Sequence, residues 1–481
     1  MLFNSFEFVF FFVCFLAIYF GLPKVARPWV LLVASYVFYA SWKPIYLLLL
    51  LLTTAIDYAT GLVMGASSRD GVRRAALLTA LGLNLGILAL LKYGNFATAN
   101  VDALLSPLGW HLPWSIGAFA LPVGISFYTF QSIGYSMDVY YRRVPAERNL
   151  LTYAQYVAFF PQLVAGPIER AAHMLPQYRR DTAWSAENLW PGLWLIGWGL
   201  FKKMCIADQV SPFVAAVYAQ PAQFSGSYTL IATALFAIQI YCDFSGYSSI
   251  ARGVARIMDF ELMVNFRQPY FAASLSEFWT RWHISLSTWF RDYLYIPLGG
   301  NRVRRSRQLM NLLIVFAVSG LWHGASWCFV TWGVAHGIGL VLERLLRWGV
   351  APYLDALPAT VRLLSSLTGR VVTLALVLAA WVFFRADTLH NALTILSSWK
   401  HLTPIDYGVF KVAGFASFEI LLCALFIPAM FAVEAIVARG PERRVSEVVG
   451  QPAAMLLAVL MTYAILLFGV FGRHEFIYFQ F

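Results

Sequence analysis

Charge is what this chain most lacks. Of its 481 residues only 12% are Asp, Glu, Lys or Arg, while 60% are hydrophobic and 17% aromatic. Soluble domains carry about 25% charged residues, so the composition points to an integral membrane protein. No polar stretch is long enough to fold alone, which leaves one large polytopic domain. Cysteine is also sparse: Cys14, Cys205, Cys242, Cys328 and Cys423 stand singly in apolar surroundings. None is paired as C-x-x-C, so zinc and dithiol redox chemistry are set aside and no metal is expected. G-x-S-x-G is missing and no Ser-His-Asp arrangement is visible. No internal repeat is apparent, which counts against inverted-repeat transporters. The N-terminus lacks a basic n-region and a small-residue cleavage site, so Phe6 to Leu22 is expected to stay as a helix.

What the chain has is apolar length. Runs able to span or nearly span a bilayer recur near 6–22, 28–41, 44–65, 75–92, 115–140, 151–168, 187–206, 227–251, 309–322, 326–346, 369–385, 413–437 and 452–471. Some read as half-helices or re-entrant segments, so eleven or twelve true spans are expected of an all-α polytopic fold. The net charge of +11 is read as cytoplasmic loop charge, not as a nucleic-acid surface. Three short basic clusters orient the chain: Arg69, Arg73 and Arg74; Arg302, Arg304, Arg305 and Arg307; and Arg439, Arg443 and Arg444. With these inside, the last helix exits and places the C-terminus on the outer face.

One stretch breaks the apolar pattern. Residues 267–307 are rich in Trp, Tyr and Arg and are interrupted by Pro269 and Pro297. Such a segment is either an interfacial amphipathic helix or a buried, cavity-lining one. It carries His283. His323 sits in SGLWHGAS at the end of the 309–322 run, and His336 lies in the returning segment. An ionisable residue within a span is a functional hypothesis, although a lone histidine is often a hydrogen-bonded packing residue. A buried, neutral His323 suits proton abstraction during acyl transfer, and Gly320 and Gly324 are read as letting a substrate approach the ring. His111, His173, His390, His401 and His474 are expected to be solvated loop residues. Asp243, in YCDFSGYSS, is the most conspicuous intramembrane carboxylate; a helix cap or a partner for Arg252 or Arg256 is the favoured reading.

Several motifs in order carry a resemblance. They are LLVASYVFYASW near the start, LPVGISFYTFQSIGYSMDVYY at 121–141, FFPQLVAGPIER at 159–170 and QIYCDFSGYSSIA at 239–251. NFRQPYFAASLSEFWTRWHISLSTWFRDYLYIPLGGNR at 265–302, SGLWHGASWCFVTWGVAHG at 319–337 and WVFFRAD at 381–387 complete the set. Nearly end to end, the chain resembles bacterial membrane-bound O-acyltransferases of the alginate O-acetylation type. The resemblance implies a ring of helices around a thinned centre, with funnels from both faces meeting near a catalytic histidine. That histidine maps to His323, with His283 as a second functional position and His336 as structural. Trp282, Arg281, Trp322, Asp243 and Ser285 are expected to line the tunnel, and 265–307 to wall the cytoplasmic funnel.

The same resemblance implies acetyl-CoA as a cytoplasmic donor substrate, with no permanently bound cofactor. It implies a location in the bacterial inner membrane among its lipids. It further implies a periplasmic acetyltransferase partner of the SGNH type and a polysaccharide synthase or export complex, with alginate, cellulose and peptidoglycan as plausible acceptors. Domain organisation is then 1–475 for the membrane domain and 476–481 for a periplasmic tail. That tail ends the chain as FIYFQF, and Phe476, Tyr478 and Phe481 reproduce the F-x-Y-x-x-F ending of small partners in D-alanylation systems. Tyr478 is therefore expected to carry the acyl group; the alternative is an aromatic anchor at the bilayer surface. A transporter for lipid-linked sugar, argued against by the few buried charges legible in the sequence, and a non-catalytic scaffold of a synthase are the rival classes.

Overall fold

Without water in the hydrocarbon core, a chain this apolar must satisfy its backbone groups internally, and it does so with helices. A computed structural model describes residues 1–110, 121–354, 358–437, 445–472 and 475–477. His111, His474, the cluster of Arg439, Arg443 and Arg444, and Tyr478 with the rest of the tail lie outside the described residues. Among the described residues there are α-helices, short 3-10 turns and three π-helical turns, and no strand.

Among the described residues, seven helices are long and apolar enough to cross a membrane: Ile45–Ala66, Asp70–Leu108, Gly226–Ile257, Trp327–Gly349, Leu363–Arg385, Ser417–Ile436 and Gln451–Phe468. Other apolar runs of the sequence become shorter helices, such as Phe6–Gly21, Arg27–Ala40 and Ile125–Tyr140. At 1.5 Å per residue, helices of 14 to 16 residues reach only about 21–24 Å, short of a core about 30 Å thick.

The chain divides into two compact units. The first comprises Met1–Leu193 and Ala251–Met263. An aromatic cluster of Phe8, Phe11, Phe15, Phe38 and Phe160 fills part of its core. Buried polar groups join its helices: Asn84 Nδ2 donates to Asp57 Oδ1 at 2.7 Å, and the Arg73 guanidinium donates to the carbonyls of Met64 and Val139 at 3.0 and 3.3 Å. His173, expected to be solvated, is half-buried and bonded to Glu169 at 2.9 Å. The Glu169 hydrogen bond raises its pKa above the usual imidazole value.

The second unit comprises Trp194–Ile250 and Val264–Phe481. Helix Gly226–Ile257 is largely buried inside the protein, whereas Gln451–Phe468 is almost wholly exposed on its surface. Helices Arg305–His323 and Trp327–Leu354 form a hairpin whose backbones touch. A Cβ at Gly320 would fall 2.3 Å from the Phe329 carbonyl oxygen, and one at Gly333 2.2 Å from that of Phe316. A Cβ at Gly324 would fall 2.1 Å from the Phe329 ring. These glycines therefore serve helix packing, which corrects the expectation that Gly320 and Gly324 open space for a substrate.

Candidate functional site

The polar aromatic stretch folds inward. It is broken into two seven-residue helices, Leu275–Arg281 and Ile284–Phe290, and a π-turn at Arg291–Tyr295. Trp282, His283 and Ser285 at its centre are buried, which removes the surface amphipathic helix as a description. Trp282 stacks on Phe278 at 5.6 Å and meets Trp381 at 5.0 Å.

His283 joins the two short helices with φ of 43°, in the left-handed region that a residue with a side chain adopts only under strong tertiary constraint. That constraint is Asn265. Its Oδ1 accepts from the Ser285 backbone N–H at 3.1 Å and the Ser285 hydroxyl at 2.9 Å, and stands 3.3 Å from His283 Nδ1. Its backbone carbonyl accepts from the Ile284 N–H at 3.0 Å, and its Nδ2 donates to Ser248 Oγ at 3.4 Å. An amide oxygen can only accept, so the contact assigns the proton to Nδ1 and leaves the lone pair on Nε2. Burial pushes the imidazole pKa down to about 3, so His283 is neutral at physiological pH.

His323 closes the Arg305–His323 helix and is buried. Its ring is set by Trp322 and Trp332, both at 4.9 Å, and Phe384 at 5.3 Å. The rings of His283 and His323 are 6.5 Å apart, centre to centre, with Trp322 6.1 Å from His283. Trp282, Trp322 and Ser285 thus accompany the two histidines. Arg281 does not: its guanidinium pairs with Glu277 one turn back on its own helix. His336 is enclosed by Trp279 at 5.0 Å, Trp332 at 5.2 Å and Phe278 stacked at 6.3 Å, consistent with a packing role.

Asp243 departs from its favoured reading. It meets neither Arg252 nor Arg256: its Oδ1 is 2.5 Å from Lys203 Nζ and its Oδ2 accepts from the Ile477 N–H at 2.7 Å. Lys203 also pairs with Asp208 at 2.9 Å. Beside it, Lys202 Nζ donates to Ser245 Oγ at 2.9 Å and lies 4.0 Å from Glu434, whose carboxylate accepts from the Tyr241 hydroxyl at 2.8 Å. Buried charge is therefore more plentiful than the sequence reading allowed, and in this unit it is paired. Phe476 and Ile477, the start of the tail, are buried in protein.

Lys202, Lys203, Asp208, Glu434 and Asn265 escaped the sequence reading. A signal existed for two of them: consecutive lysines within the apolar run 187–206 are costly unless they have work to do. They sit on a π-turn, Phe201–Ala207, a local widening that recurs at functional sites.

Membrane-spanning helices and two buried imidazoles 6.5 Å apart define a polytopic membrane protein with an internal two-histidine centre. The family model of MBOAT, the membrane-bound O-acyltransferase family, matches residues 141–356. The chain is 37% identical over 475 residues to a probable alginate O-acetylase of Azotobacter vinelandii, covering 96% of this chain and 92% of that relative. It is 33% identical over 410 residues to a peptidoglycan O-acetyltransferase of Helicobacter pylori, covering 80% and 75%. Over 237 residues, 46% of this chain and 56% of the relative, it is 31% identical to a teichoic acid D-alanyltransferase of Streptococcus thermophilus. The chain belongs to the membrane-bound O-acyltransferase family. It is a multi-pass membrane enzyme that transfers acyl groups to oxygen.

Proposed function

We propose that the chain moves acetyl groups from cytoplasmic acetyl-CoA across the inner membrane for O-acetylation of an extracytoplasmic polysaccharide of the alginate class. The observation that carries this reading is the convergence of two buried imidazoles within 6.5 Å in the same unit that receives the tail. His323 acts as general base. It takes the proton of the Tyr478 hydroxyl as the phenol oxygen attacks the thioester carbonyl. The C–S bond breaks, and the imidazolium returns the proton to the departing CoA thiolate. The product is an acetyl ester on Tyr478. A phenol of pKa about 10 leaves more readily than a sugar hydroxyl, so that ester stays activated. A periplasmic partner of the SGNH type then takes the acetyl group and delivers it to the polymer. His283, neutral and with Nε2 as acceptor, supports the same centre by polarising a bound group or water. The nucleotide of the donor stays at the inner face, where arginines suit its phosphates.

The test is mass measurement of the intact protein and its C-terminal peptide after incubation with isotopically labelled acetyl-CoA. Label on Tyr478 that vanishes in His323→Ala, with a loss of transfer of about 10²–10⁴-fold, is the expected result. Label on His323 that persists in Tyr478→Phe would replace the tyrosine relay with an acetyl-imidazole. Undiminished polymer acetylation in His323→Ala would sink the role given to His323.

A further inference from the structure

The tail is held by its backbone. Asp243 Oδ2 accepts from the Ile477 N–H at 2.7 Å, and Lys203 Nζ donates to the Glu475 carbonyl at 3.1 Å. Between these two bonds the Phe476 ring lies 4.6 Å from the same ammonium and edge-on to Tyr247 at 4.7 Å. Phe476 is 1% and Ile477 6% exposed. One ion pair thus grips the main chain on both sides of a buried ring.

We propose that the Lys203–Asp243 pair is a docking site for the C-terminal segment of this chain at Glu475–Ile477, and a positioning pair for chemistry at the residue that follows. The docking stands on the contacts above; the positioning clause rests on the proposed function. Ion pairing alone does not explain the arrangement. Lys203 also meets Asp208, at 2.9 Å, so one ammonium serves two buried carboxylates. A buried carboxylate needs donors on its remaining lone pairs, and the Ile477 amide supplies one to Asp243. The tail therefore completes the charge cluster while the cluster fixes the tail. The recognition reads main chain and one aromatic ring, so it suits any segment with an aromatic at the central position.

Two variants test the docking site. The charge swap Lys203→Asp with Asp243→Lys retains an ion pair but presents a carboxylate to the Glu475 carbonyl and an ammonium to the Ile477 amide. Ile477→Pro removes the amide donor and leaves both charged side chains, with Ile477→Ala as its control. Thermal melting, hydrogen exchange of the C-terminal peptide by mass spectrometry, and acetyl transfer from labelled acetyl-CoA are measured on each full-length chain. In the swap, C-terminal exchange is expected to rise by about tenfold, the worth of one charge-assisted hydrogen bond, and melting to fall because the carboxylate placed at position 203 faces Asp208. Ile477→Pro, which leaves Lys203 and both its carboxylate partners, therefore carries the separation from structural support. Transfer is expected to fall on the order of 10²-fold, as misplacement of a reacting group does. Ile477→Pro should reproduce the loss of transfer and Ile477→Ala should not. Slow exchange and full transfer in the swap would overturn the docking site. Fast exchange with undiminished transfer would uphold docking and overturn the positioning role, while the label on Tyr478 tests the carrier separately. Should the swap fail to fold, Ile477→Pro decides alone: wild-type transfer and wild-type exchange of the flanking amides would overturn the proposal.

Discussion

The loop that carries His283 and the helix that carries His323 bring two imidazoles to one neighbourhood by opposite means. Around His283 the holding is polar: one asparagine binds three consecutive residues, and the backbone sits at a φ of 43°. Around His323 packing is prominent: two helices touch through Gly320 and Gly333, and the ring stands among Trp322, Trp332 and Phe384. A hydrogen bond fixes which nitrogen bears the proton. Aromatic walls fix the plane of a ring. The proposed function gives proton transfer to His323 and leaves His283, tied to Asn265, in one protonation state.

The steric arm should break hardest. Gly333→Ala places a methyl 2.2 Å from the Phe316 carbonyl oxygen and 3.0 Å from Gly320, and backbone cannot yield there without parting the helices. Overpacking of this kind costs about 1–3 kcal/mol, and His323 lies one turn from the contact, so melting temperature and acetyl transfer should fall together. Gly337→Ala is the graded control. Its Cβ meets Leu313 and Phe316 side chains at 3.3 Å, which can shift, so both measures should move far less. Equal loss in the two variants would mean that the close helix crossing does not position His323.

Breaking the polar arm should cost less and leave a different mark. Asn265→Ala removes the acceptor of the Ser285 N–H and hydroxyl and of His283 Nδ1, at about 1–3 kcal/mol for buried groups that lose a partner. Asn265→Asp keeps the shape but sets a carboxylate beside Nδ1, which favours the imidazolium. Transfer by Asn265→Asp should therefore be lower at pH 6 than at pH 8 by a larger ratio than in wild type. An identical pH ratio would show that the proton on His283 is not set by residue 265.

The steric arm was partly legible in the sequence and the polar arm was not. His323 announced itself, since a histidine between Trp322 and Gly324 at the end of an apolar run has few ordinary reasons to be there. The helical architecture followed from apolar run lengths, which act locally. Asn265 lies 18 residues from His283, and nothing in spacing or periodicity links them; only the bend of the chain does. Lys203 and Asp243 are 40 residues apart, and Ile477 is 234 residues beyond Asp243. Charge pairing over such separations is a tertiary fact, which is why the sequence alone suggests for Asp243 a helix cap or the nearby Arg252 and Arg256.

The smallest expected effect concerns protons taken up on unfolding. His283 in the folded protein holds off protonation to about pH 3, whereas an unfolded histidine titrates near 6.5. The folded pKa is depressed, so between those values the unfolded chain binds the extra proton. Stability therefore rises with pH across that window and is lost as pH falls below about 6.5, by up to about 1.4 kcal/mol per pH unit. Other groups titrate in the same range, so the informative quantity is the difference between wild type and His283→Gln, which cannot protonate there. Wild type should lose more melting temperature than His283→Gln on moving from pH 7.5 to pH 5.5. His323→Gln serves as the comparison on the steric side. An equal shift in wild type and His283→Gln would mean that His283 is already solvated and protonated in the folded state, and the contrast between the two imidazoles would collapse into a single kind of site.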